Sequence, residues 1–92
     1  MAWYISEDKI DDGQAVGQWN ARFKNPENGI EKCKEICTYK FRMLDDDDEV
    51  YYIGYSNDCD SEKAFQPLDD FGMPNAGCTD IQYRHNGKWE SL

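Results

Sequence analysis

The sequence is poor in the residues that do chemistry and in the segments that cross membranes. It has one histidine, His85, in 92 residues. That residue lies in His85-Asn86-Gly87, the expected tip of a hairpin, a poor place to bury and orient a general base. There is no Gly-x-Ser-x-Gly elbow, no phosphate loop and no paired-histidine zinc motif. Adjacent carboxylates such as Asp69-Asp70 become an acid–base pair only in a cleft that splits their pKa values. No run approaches the roughly 20 apolar residues of a membrane span. Met-Ala-Trp-Tyr-Ile-Ser-Glu-Asp has neither the basic nor the apolar part of a signal peptide, which predicts a cytoplasmic chain. Positive charge is scarce as well: 10 Lys and Arg stand against 19 Asp and Glu, a net charge of −9. An acidic surface is not attracted to a nucleic-acid backbone or an anionic membrane, so a charged partner should be basic.

The aromatics are abundant. Three Trp, six Tyr and four Phe give a small single domain, residues 1–92, large burial per residue despite a mean hydropathy of −0.93. The central stretch is Tyr39–Tyr55, where two alternating runs flank four aspartates and read as a β-hairpin. A three-residue loop, Asp46-Asp47-Asp48, pairs Asp45 with Glu49 and sets Tyr39, Phe41 and Met43 opposite Tyr55, Ile53 and Tyr51 on one face. Asp48 must then adopt a left-handed conformation. Asn86-Gly87 signals a second hairpin within 78–92: a three-residue loop, which we prefer, sets Tyr83 opposite Trp89, and a two-residue loop sets Ile81 opposite Leu92. Ala2 to Ser6 reads as a strand, Glu7 to Gly13 as a turn, and Gln14 to Phe23 as irregular chain burying Trp19 and Phe23. Asn25 as cap and Pro26 at the first position start a helix running to Ile36, with Ile30, Cys33 and Cys37 along one face. Ala64 to Gly77, with two prolines and two glycines, reads as an ordered loop pinned by Leu68 and Met73.

These elements predict an α+β fold: an antiparallel sheet of about five strands, two β-hairpins (39–55 and 78–92) and one helix near 26–36. Trp3, Trp19, Phe41, Ile53, Tyr83 and Trp89 should be mostly buried. The alternative is an open barrel with the 67–77 loop over one end.

Four cysteines are expected as reduced thiols. Cys33 and Cys37 lie one helical turn apart, but Cys59 and Cys78 are too widely separated for the paired ligands of a structural zinc site. Asp58, Asp60, Glu62 and Asp69 echo a calcium loop, but its glycine position holds Lys63. No metal or other cofactor is therefore expected. The remaining acids cluster in turns. They serve either to solvate loops or to form one negative face for a basic protein partner, as an inhibitor or nucleic-acid mimic does. The candidate partner-binding residues are Asp69, Asp70 and Phe71 with Asp46, Asp47 and Asp48. Against this stands Phe71 as a core plug whose neighbours merely cap a turn. A small enzyme or ligand-binding domain using the 67–78 loop is the alternative function. The protein is expected to be a monomer or a weak homodimer through a sheet edge.

Leu44-Asp-Asp-Asp-Asp-Glu-Val-Tyr-Tyr52, Pro67-Leu-Asp-Asp-Phe-Gly-Met-Pro-Asn-Ala-Gly-Cys-Thr79 and Gly87-Lys-Trp-Glu90 resemble a group of small, acidic, uncharacterised bacterial proteins. The similarity covers residues 41–92. The group often has Gly at the position of Asp48, in agreement with the left-handed loop residue. The resemblance implies a bacterial or mobile-element origin and carries no activity, cofactor or catalytic residue.

Overall fold

In the computed structural model of the protein, residues 2–10, 12–19 and 29–92 are described, without the side chains of residues 29, 30 and 32. Five strands form one antiparallel sheet: β1 (Trp3–Asp8), β2 (Tyr39–Leu44), β3 (Val50–Ser56), β4 (Asp80–His85) and β5 (Lys88–Ser91), in the order β1-β3-β2-β4-β5. The helix α1 spans Gly29–Ile36. The expected helix start at Asn25 and Pro26, and Phe23, lie outside the described residues. The α+β class and both hairpins are as anticipated. The 67–77 segment packs on one face of this sheet, through Pro67, Leu68 and Phe71, and not over the end of a barrel.

The central hairpin keeps the expected turn and changes its register one residue later. Asp45 N–H donates to the Glu49 carbonyl at 3.1 Å, Leu44 faces Val50, and Asp48 has a φ of 61°. A bulge between Leu44 and Met43 then places Met43 opposite Tyr52 and Phe41 opposite Gly54, not opposite Tyr51 and Ile53. A one-residue shift turns a strand over, so Ile53 and Tyr55 point away from the Phe41 face, half-buried, while Tyr51, the extra residue at the bulge, still packs against the core on that face. The cause is steric. A Cβ at position 54 would meet the Tyr4 carbonyl oxygen and lie 2.6 Å from Phe41 Cζ, so the Phe41 ring uses the space glycine leaves.

The second hairpin also departs from expectation. Asn86 and Gly87, with φ of 51° and 79°, form a two-residue turn with His85 opposite Lys88, and Tyr83 faces Glu90 instead of Trp89. Positive φ at both central residues gives the turn whose twist matches the strands. Trp89 therefore lies on the face opposite Tyr83, half-buried, with the Arg42 guanidinium 4.5 Å and that of Arg84 5.4 Å from its ring centroid. Trp19 is half-buried too, bridged to Tyr4.

The chain between β3 and β4 is helical, not a loop. A 3₁₀ turn (Glu62–Phe65) is followed by a π turn (Leu68–Gly72) and a short helix α2 (Met73–Ala76). Ser61 Oγ caps the first turn by accepting from Lys63 N–H. Gly77, at a φ of 72°, ends the last turn, with its N–H bonded to the Met73 carbonyl and that of Cys78 to Gly72. Ala64, Pro67, Leu68 and Phe71 face inward at helical spacing, while Met73, expected inside, is half exposed.

This helical cover lies on the sheet face made by Trp3, Ile5, Phe41, Met43, Tyr52, Ile81 and Tyr83. The Tyr83 hydroxyl crosses the core to donate to the Ala64 carbonyl at 2.8 Å. On the opposite face, Cys33 and Cys37 of α1 and its end pack with Ala2, Tyr4, Trp19 and Tyr55.

Candidate functional site

The sheet's topology places charge before any side chain does. Antiparallel pairing in this order makes β1 and β2 finish, and β3 and β4 begin, at one end of the sheet. That end therefore carries Glu7 and Asp8, the turn containing Asp12, the Asp45–Glu49 loop, and Asp80 opposite Leu44. Asp69 and Asp70 are exposed on the helical cover beside it, three and two residues before Gly72, which packs against Met43.

Asp45 organises the turn. Its Oδ1 accepts from the N–H groups of Asp47 and Glu49, both at 2.9 Å, and its Oδ2 accepts from the Tyr51 hydroxyl at 3.0 Å. These bonds, led by that from Glu49, lower its pKa and keep it ionised. Asp46, Asp47 and Asp48 are exposed around it. Among the described residues the ion pair within 4.0 Å is Lys9 with Glu7, at 3.3 Å, so the turn and cover aspartates have no cation in contact. Several cations instead occupy the sheet's other face, where Arg42 and Arg84 flank Trp89 and Lys34 sits 5.9 Å from the Tyr4 ring centroid.

The six sequence-selected residues divide. Asp46, Asp47, Asp48, Asp69 and Asp70 are exposed at or beside one end. Phe71 is 9% exposed, its ring 5.9 Å from Trp3 and 5.1 Å from Tyr52, so it belongs to the core and is not a projecting anchor. It also helps to line a cleft of about 310 Å³ that reasoning from sequence missed, together with Gln14, Ala15, Gln18, Tyr52 and Asn75. No local motif announces those three carboxamides; the turn at 12–17 and α2 bring them together.

Among the described residues the histidine and the cysteines do not come together in one group. His85 ends β4 and Cys78 lies two residues before its start, so the strand's length separates them. Burial pushes the Cys78 thiol up to about 11, away from the thiolate a nucleophile needs. The Asp58 carboxylate is spent on the Asp60 and Ser61 N–H groups, each at 3.1 Å, and on the Ser61 hydroxyl, an acidic cap for the 3₁₀ turn. Cys33 and Cys37, with Sγ atoms 3.4 Å apart, are free buried thiols, and burial raises both above the ordinary range. Among the described residues no three potential metal ligands converge, and no helix is long and apolar enough to cross a membrane. Compared with protein-family models, curated proteins and solved structures, the chain matches none.

Proposed function

We propose that the protein is an acidic recognition module for a basic protein partner, engaged through the sheet end bearing Asp46, Asp47 and Asp48 with Asp69 and Asp70 beside it. The observation that carries this reading is the gathering of acids from four separate chain segments at one end, with no cation in contact with Asp46, Asp47, Asp48, Asp69 or Asp70 among the described residues. Carboxylates held together repel one another, and a basic surface relieves that repulsion on binding. A dense row of carboxylates also offers basic proteins a decoy for nucleic acid, the role of an inhibitor or mimic. The module acts as a monomer or pairs weakly through the short open edge at β5. The alternative of a small ligand-binding domain using the 67–78 segment draws its support from the cleft that Phe71 and Asn75 help to line.

The test is binding of a glycine-spaced hexalysine peptide, followed by calorimetry at low and high ionic strength. Affinity should fall at least about tenfold between 50 and 500 mM salt, as the Debye length shrinks from roughly 14 to 4 Å. The combined Asp46→Asn, Asp47→Asn, Asp69→Asn and Asp70→Asn variant should bind correspondingly weakly at low salt. Affinity indifferent to both salt and these substitutions would overturn the proposal.

A further inference from the structure

The cleft beside the acidic end adds chemical selectivity to that reading, on which this inference rests. Its position follows from Asp8: Oδ2 accepts from Ala15 N–H at 3.0 Å, drawing the 12–17 turn over the strand ends, and Asp8 pairs with Tyr52 across the sheet. The opposite wall is Asn75 of α2, and the floor is Phe71 with Tyr52. The side-chain amides of Gln14, Gln18 and Asn75 make no hydrogen bond among the described residues, and all three residues are exposed. Among the described residues the lining thus combines unengaged carbonyl oxygens, an aromatic floor and no charge of its own, next to a concentration of negative charge.

We propose that this cleft receives an arginine side chain of the basic partner. A guanidinium is planar, is weakly hydrated for a cation, lies flat on an aromatic ring, and presents five N–H donors in a fixed fork. Three carboxamide oxygens around an aromatic floor match that fork, and the neighbouring carboxylates supply the charge attraction. An ammonium group fits worse. It is compact and strongly hydrated, and it gains little from a flat apolar floor. The cleft's volume of about 310 Å³ is large enough to admit an arginine side chain.

Two glycine-spaced peptides of equal charge, hexa-arginine and hexalysine, separate this inference from the electrostatic reading beneath it. The intact protein should bind the arginine peptide about tenfold more tightly, the effect of one additional charge-assisted hydrogen bond. Gln18→Ala with Asn75→Ala, both at exposed positions, should abolish that preference and leave hexalysine affinity unchanged. In NMR spectra, the side-chain amide signals of Gln14, Gln18 and Asn75 should shift with the arginine peptide and not with the lysine peptide. Equal affinity for the two peptides overturns the arginine cleft and leaves the acidic module standing. A preference that survives the double variant also overturns it. Failure to bind either peptide overturns both.

Discussion

Phe71 and its two neighbours show how one short segment divides its work residue by residue. Asp69 and Asp70 stay in water while Phe71, between Trp3 and Tyr52, closes the core. The π turn makes this possible by directing consecutive side chains around an axis, so that Leu68 and Phe71 point in and the aspartates out. Phe71→Ala should therefore cost about 3–5 kcal/mol of unfolding free energy, as for other truncated core aromatics. Urea denaturation measures it, and a loss within about 0.5 kcal/mol would place Phe71 among surface positions instead.

At the scale of elements, β3 is organised by the residue it lacks a side chain for. Gly54 lets the Tyr4 carbonyl on one neighbouring strand and the Phe41 ring on the other approach together. Gly54→Ala should destabilise by about 1–3 kcal/mol or more, because one of the atoms met belongs to the backbone and cannot rotate away. The same variant should disturb the NMR shifts of β1 and β2 together. A neutral effect on stability would mean that the strands can separate without cost. The alternation of Tyr39–Tyr55 identified two paired strands and their turn, down to the left-handed Asp48. The bulge beside that turn was not legible, since alternation assumes an unbroken register and the competing fit of Phe41 over Gly54 is a contact across strands.

Across the whole molecule, several weak acids are buried as neutral groups. Desolvation raises Cys37, Cys78 and Tyr83 above their ordinary values, Cys78 from 9.0 to about 11. A folded pKa above the unfolded one favours the folded state while the group is protonated. That contribution is complete below the unfolded value and disappears as the pH climbs through the folded one. Stability should accordingly be level up to about pH 9 and decline between 9 and 11. Thermal melts across that range test this, and Cys78→Ala should flatten the early part of the decline. A flat profile to pH 11 in the parent protein would contradict it.

The amino-acid sequence by itself determined the α+β class, the two hairpins, the acidity of the turns and an inward Leu68, because each is written in local alternation, turn residues and charge. It also contained the helical spacing of Ala64, Pro67, Leu68 and Phe71, masked by two prolines that read as loop formers but sit where a helical turn accepts them. The tertiary structure alone decided which face each strand of the central hairpin presents, because one bulge and one glycine set that register. It alone gathered the acids, because the ends of β1 to β4 meet only once the strand order is chosen. The carboxamide cleft depends on the same choice: Asn75 is distant in sequence from Gln14 and Gln18 and becomes their neighbour only when the 12–17 turn and α2 close over the same sheet.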